Sequence, residues 1–231
     1  MTPRPDLTLW ARRALALAVL GLLVALAPAP AGAASQLLED GVPRTIVVPE
    51  DGLWAAHVQV PRDAVALTIA VCSSTETALY IRHGQSLESA PEALAEISRV
   101  GGGALQVARI ASDGPVRIRG GTWHLAVVAD REDRGKRFEV AVFVDRGRGI
   151  PTIVPGVQAL SLPVHRDRSE LRTFLPTLAR DVTLTIEGAD RPGVRYRLDG
   201  PREYRRSGQA PRTLVLAPPE SPPGTYTLDL T

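Results

Sequence analysis

The 231-residue chain holds one cysteine, one lysine and no asparagine. A single cysteine excludes any disulfide within the chain, so stability has to come from packing. Without asparagine there is no N-glycosylation sequon. Aromatic residues make up 4% of the chain, which leaves Val, Leu, Ile and Ala to fill the cores. Several chemistries also lack their motifs. There is no His-Glu-x-x-His zinc helix, no paired Cys-x-x-Cys, no Gly-x-x-x-x-Gly-Lys phosphate loop and no calcium-loop pattern. The nearest approach to a nucleophile elbow, Gly84-Gln85-Ser86-Leu87-Glu88, lacks the second glycine and has no α/β context.

What is present begins with an export signal. Arg4, Arg12 and Arg13 make a basic start, and the fourteen residues Ala14 to Ala27 are apolar apart from Gly21. Pro28, Pro30 and Gly32 break the run, and Ala31-Gly32-Ala33 offers small residues for cleavage. Residues 1–33 therefore read as a secretory signal peptide. The run is shorter than the roughly 20 residues a bilayer span needs. No stable membrane span is expected once the leader is cut, and a retained anchor is the alternative. Setting aside the leader's three Arg and one Asp leaves 24 basic and 24 acidic residues. A balanced chain without a polybasic stripe argues against a nucleic-acid partner. The expected location is secreted or periplasmic.

The rest of the chain punctuates short apolar runs with Gly and Pro. Arg44 to Val48 reads as a strand after a polar opening. Trp54, Ala56, Val58 and Val60 alternate with Ala55, His57 and Gln59, the period of a half-buried strand with Trp54 facing in. Ala64 to Cys72 is the most apolar segment past the leader and is expected to be central, with Cys72 a buried thiol. Ser73 to Thr77 reads as a polar hairpin into the strand Ala78 to Arg82. Ser89 to Ser98 is the one candidate helix, with a loop of one turn as the alternative. Strand-like runs follow at Ala104 to Ala111 and Val116 to Arg119. Gly121-Thr122-Trp123-His124-Leu125-Ala126-Val127-Val128 is a strand entered through glycine, and Phe138 to Val144 closes the block after a charged loop.

That glycine-entered strand recurs as Gly224-Thr225-Tyr226-Thr227-Leu228-Asp229-Leu230. Around it the second half repeats the first. Ala159 to Val164 matches the opening strand, Leu171 to Leu175 the Trp54 strand, and Asp181 to Glu187 the central strand. Arg195 to Gly200 matches Leu79 to Gly84, and Arg212 to Leu216 precedes the recurrent strand. Nothing in the second block matches Phe138 to Val144, so an open sheet edge and strand addition along it are expected. Closure by its own residues, such as Thr152 to Gln158, is the opposite case. The fold class is all-β, two tandem antiparallel β-sandwiches of jelly-roll or immunoglobulin-like type. The limits are 36–146 for the first domain, 147–157 for a linker and 158–231 for the shorter second domain.

The first block resembles the bacterial pre-peptidase C-terminal domain. The likeness rests on Leu38 to Pro43, Val58-Gln59-Val60-Pro61, Ala66 to Val71, Leu79-Tyr80-Ile81-Arg82-His83-Gly84 and Gly121-Thr122-Trp123-His124-Leu125, and covers about 38–144. It is more diffuse in the second block. The chain departs from the family before Leu79, where Glu76-Thr77-Ala78 stands in place of a frequent Asp-Ala-Asp. The resemblance implies a non-catalytic β-sandwich appended to secreted enzymes, sometimes binding insoluble or protein substrates, with no catalytic residues to carry over.

Among single residues, His57 and His124 fall on strands, opposite the Trp54 and Trp123 faces. Solvated strand histidines is the favoured reading. If those strands are neighbours, two imidazoles approaching as metal ligands is the alternative. His83 and His165 have no ligand partner in sequence. Asp113, Asp130, Glu132 and Asp133 read as solvated turn residues rather than calcium ligands. Trp54, Tyr80, Trp123, Tyr196 and Tyr226 read as core positions rather than a sugar platform. Arg202, Arg205 and Arg206 around Tyr204 read as a solvated loop rather than an anion site. The expectation is no catalytic residue, no cofactor and no metal. The chain is then an exported binding or spacer module, with a protein or polysaccharide at the cell surface as partner. The alternatives are the N-terminal region of a larger secreted hydrolase and an enzyme assembled from scattered residues.

Overall fold

The computed structural model describes residues 35–101, 105–147, 151–153, 169–177, 182–186 and 193–231. The expected leader, the expected strand Ala159 to Val164 and His165 lie outside the described residues. The first half supplies β1 (Gln36–Leu38), β2 (Arg44–Val47), β3 (Leu53–Val60), β4 (Ala64–Ser73), β5 (Thr77–His83), a one-turn helix α1 (Pro91–Leu94), β6 (Ile97–Gly101), β7 (Leu105–Ala111), β8 (Gly121–Ala129) and β9 (Arg137–Arg146). These form a five-stranded sheet in the order β1-β3-β8-β5-β6 and a four-stranded sheet in the order β2-β9-β4-β7. Pairing is antiparallel except for β1 beside β3.

Alternation decides what lies between the two sheets. Ala56, Val58 and Val60 of β3, Leu79 and Ile81 of β5, and Trp123, Leu125 and Val127 of β8 point inward. They meet Leu67, Ile69 and Val71 of β4 and Phe138, Val140, Val142 and Val144 of β9. Trp123 is the largest side chain in this core and is fully buried. The few aromatics are spent at such positions, and branched aliphatics fill the rest.

The second half supplies β10 (Thr152–Ile153), β11 (Ser169–Leu175), β12 (Val182–Ile186), β13 (Arg195–Asp199), β14 (Arg205–Gln209), β15 (Arg212–Leu216) and β16 (Gly224–Leu230). The orders are β10-β11-β16-β13-β14 and β12-β15. The first order corresponds strand for strand to β1-β3-β8-β5-β6, down to a parallel pair at the same edge. The β12-β15 pair corresponds to β4-β7. Tyr226, Leu228, Leu171, Leu175, Leu198, Leu214 and Leu216 form this second core.

Register explains the recurrent glycine. Gly121 pairs with Val60, and Gly224 pairs with Leu175 at the equivalent place. Both have positive φ, 119° and 136°. A Cβ on Gly224 would lie 2.6 Å from Cγ of Pro201, so only glycine starts this strand without strain.

Residues Ser35–Thr231 cluster as one compact unit. The outer face of the four-stranded sheet is covered by β11. Phe174 packs on Ala70, Ala141 and Phe143, with the two phenylalanine rings 5.8 Å apart. Beside them Arg172 reaches Asp40 at 3.1 Å and the buried Asp145 at 3.5 Å. Asp145 also holds Arg109 at 3.3 Å and accepts a hydrogen bond from Thr152 Oγ1 at 2.8 Å.

Several sequence expectations change. β4 and β5 lie in different sheets, so Ser73 to Thr77 is a corner between layers and not a hairpin. Val116 to Arg119 is a loop, because turn residues crowd it at both ends; Val116 and Ile118 still pack on the core. Ser89 to Ser98 yields one helical turn and then β6. β1, β6 and β14 were not expected as strands. They are short edge strands, and β14 alternates nothing apolar. Thr152–Ile153, expected within the linker, pairs with β11 as β10, at the edge of the second half's larger sheet.

Candidate functional site

The polar residues that the first core rejects gather on the outer face of the sheet β1-β3-β8-β5-β6. Across its strands Leu37, His57, His124 and Arg82 stand in one row. His57 and His124 are direct cross-strand partners, with ring centroids 5.9 Å apart and planes tilted by 38°. Ser35 Oγ lies 3.0 Å from His57 Nδ1. His124 Nδ1 is buried and has no hydrogen-bond partner. Burial, and then the neighbouring His57, hold His124 below the ordinary imidazole pKa, against an opposing pull from Glu88. Arg82 turns away and donates from Nη1 to the carbonyl of Leu94 at 2.8 Å. Gln59 and Thr122 extend the polar row at the next pair, joined at 3.0 Å.

The segment from Gly84 to Glu96 covers only one half of this face. There Leu87 and Leu94 pack on Tyr80, Ala78, Ala126 and Val128. The histidine half stays accessible. Its two imidazoles face each other across the β3–β8 ladder. Ser35 meets His57, but no carboxylate among the described residues holds that ring, and a base needs such an orienting group.

The other residues singled out in the sequence fall elsewhere. His83 Nε2 lies 3.1 Å from the Gly120 carbonyl, and its ring packs edge-on to Trp123. Cys72 is buried beside Glu139, and burial first, then that carboxylate, push its thiol up to about 11. Trp54 packs on Phe138 at 5.4 Å, and Trp123, Tyr196 and Tyr226 are core residues. Tyr80 is buried as well, but under the Gly84 to Glu96 segment on the opposite face. Asp113, Asp130 and Glu132 are exposed, and Asp133 pairs with Lys136. Among the described residues no three His, Cys, Asp or Glu side chains gather as a metal group. Arg205 belongs to β14 and pairs with Asp199, as does Arg197, each at 2.7 Å. The hydrogen bond from Arg205 leads in holding that carboxyl below its ordinary value. Arg206 stacks over Tyr204. Ser35, Arg82 and the Asp145–Arg172 network were not singled out in the sequence. Asp145 gave one signal, a charge at the end of an apolar strand.

A second feature is an edge. β4 is flanked by β7 on one side and β9 on the other, whereas β12 pairs among the described residues with β15 alone. Of the candidate closing segment Thr152 to Gln158, Thr152–Ile153 sit in the other sheet as β10, and 154–158 lie outside the described residues. The inward residues of β4 (Leu67, Ile69 and Val71) are fully buried, yet Leu184, in the middle of β12, is only partly so.

No protein-family model matches the chain, and no curated protein matches it. Solved structures do. The chain is similar to the pre-peptidase C-terminal domain of a collagenase from Bacillus anthracis, with 13% identity and a TM-score of 0.36 over 47% of this chain and 93% of that one. It is similar to PliG, a periplasmic inhibitor of g-type lysozyme from Aeromonas hydrophila, with 13% identity and a TM-score of 0.30 over 48% of this chain and 100% of that one. A third is the PBSX exported protein XepA, with 9% identity and a TM-score of 0.31 over 84% of this chain and 88% of that one. The likenesses are of fold. The residues that carry the resemblance in the sequence lie mainly on β1, β3, β4, β5 and β8 of the first sandwich. No helix among the described residues is long and apolar enough to cross a membrane.

Proposed function

We propose that this protein is an exported, non-catalytic β-sandwich module that binds a partner polypeptide by strand addition along the edge of β12 that no other described strand pairs with. The observation that carries the reading is that, among the described residues, β12 pairs on one side only, where its counterpart β4 is paired on both. An unpaired edge presents a row of backbone N–H and C=O groups that an incoming strand satisfies. β9 defines the chemistry of the occupant: an extended segment antiparallel to β12, with branched or aromatic side chains at alternate positions. The leader at 1–33 supports a periplasmic or secreted location. Residues 36–146 and 158–231 are taken as the two modules, with β10 assigned to the second.

Light scattering on the protein without its leader tests this, alone and with a peptide of sequence Phe138 to Val144. A monomer that takes up the peptide, or a dimer that the peptide dissociates, is the expected outcome. A monomer indifferent to the peptide would refute the proposal.

A further inference from the structure

We infer that His57 and His124 form a two-imidazole site for a divalent transition-metal cation, Cu2+, Ni2+ or Zn2+, on the outer face of the first sheet. The two residues face each other across the β3–β8 ladder, so their separation is fixed by backbone pairing and not by a loop. With metal–nitrogen bonds of about 2.0 to 2.1 Å, two rings on one ion have centroids roughly 4.4 Å apart at a right angle and about 6 Å apart when nearly opposed. The observed 5.9 Å falls in that range, and χ2 rotations re-aim the ring nitrogens of these partly buried side chains while leaving the centroids nearly in place.

The surroundings support the same reading. With Ser35 Oγ accepting from Nδ1 of His57, the Nε2 lone pair is left for a ligand, the usual second contact of a metal-bound histidine. The His124 ring makes no hydrogen bond among the described residues that a cation would have to break. Glu88 exerts a favourable field on His124. Against it act burial, His57 and His83, while the guanidinium of Arg82, next in the row, is drawn off to the Leu94 carbonyl. Paired imidazoles select borderline ions over Ca2+ and Mg2+, which take oxygen ligands. Two protein ligands leave the other positions to water or to a group of a bound partner. The site is independent of the β12 edge, so either proposal can fail alone.

Titration calorimetry of the untagged, leaderless protein with CuCl2, NiCl2 and ZnCl2 at neutral pH tests it. One saturable site per chain is expected, lost in His57→Ala and in His124→Ala, and kept in His83→Ala. Ser35→Ala weakens binding by about tenfold. Both histidines lie on the outer face and contribute nothing to the core cluster, so the far-ultraviolet circular dichroism of the variants should match the parent. On the unaltered protein, Cu2+ should broaden two of the four histidine imidazole proton signals first, those of His57 and His124. Absence of saturable binding, binding that survives both replacements, or first broadening at His83 or His165 overturns the inference.

Discussion

Arg172→Met removes a side chain that ties the second sandwich to two carboxylates of the first. In the parent, Arg172 reaches Asp40 and Asp145, donates to the Val144 carbonyl at 3.1 Å and stacks over Phe143. The side chain of Asp145 is 4% exposed, so its charge depends on its partners and not on water. Breaking a buried pair by removing one member costs about 3 to 5 kcal/mol. Here Asp145 keeps Arg109 and Thr152, and methionine preserves much of the packing on Phe143, so we expect about 2 to 3 kcal/mol. At roughly 2 to 4 °C per kcal/mol for a chain of this size, the melting midpoint falls by about 4 to 12 °C. Thermal unfolding followed by circular dichroism measures it. Arg172→Lys should recover little, because a single ammonium cannot fork between two carboxylates. The loss should persist at high salt, since a buried pair is weakly screened. Combining Arg172→Met with Asp145→Asn should cost less than the sum of the two, by at least about 0.5 kcal/mol. A midpoint unchanged in Arg172→Met, or strict additivity with Asp145→Asn, would refute the reasoning and shift the weight to the Phe143–Phe174 packing and the Thr152, Thr177 and Thr225 hydrogen bonds.

Cys72 should react with a thiol reagent in the unfolded chain and resist it in the folded one, because burial disfavours the thiolate. Its folded pKa of about 11 lies above the ordinary 9.0, so the contribution is fully present below pH 9 and is lost as pH rises to about 11. The loss is roughly 2 to 3 kcal/mol, and Cys72→Ala should remove that part of the alkaline decline. An equally steep decline in Cys72→Ala would count against it. Gly121→Ala and Gly224→Ala each force a side chain into a positive φ. Each should lower stability by about 1 to 3 kcal/mol in denaturant titration, and a variant matching the parent would show that the turn relaxes at no cost.

The legible parts of the fold were those where one face is buried and one is not. Trp54 to Val60 and Trp123 to Val127 alternate cleanly, and the structure places the aromatic of each inside and the histidine of each outside. The glycine before Thr122 and before Thr225 marked the same turn twice. Edge strands were illegible, because β14 (Arg205–Gln209) is polar on both faces and is held by backbone pairing with β13 and by its arginines rather than by buried apolar side chains. Pairing between layers was also hidden: nothing in Ser73 to Thr77 says whether the chain folds back in its own sheet or crosses to the other. The histidine pair was half legible. Period two put both residues on outward faces, but their meeting depended on a register between segments 67 residues apart.

Equivalent ladder positions do different work in the two sandwiches. The pair His57/His124 corresponds to Arg172/Thr227, each lying three residues from a core-facing end pair that ends in glycine. In the first sandwich that outward pair stays accessible, and in the second Arg172 is turned onto β9. β9 therefore has two functions set by alternation alone. Phe138, Val140, Val142 and Val144 close the first sandwich, while Ala141, Phe143 and Asp145 receive the second. A strand added beside β12 would inherit the same division. Its inward residues would cover Leu184, and its outward residues would form a new surface of the kind that Phe174 and Arg172 occupy on β9. By this logic an Asp or a small apolar residue at the outward positions of the partner strand costs nothing in closure. It decides whether a further module can stack on the completed sheet.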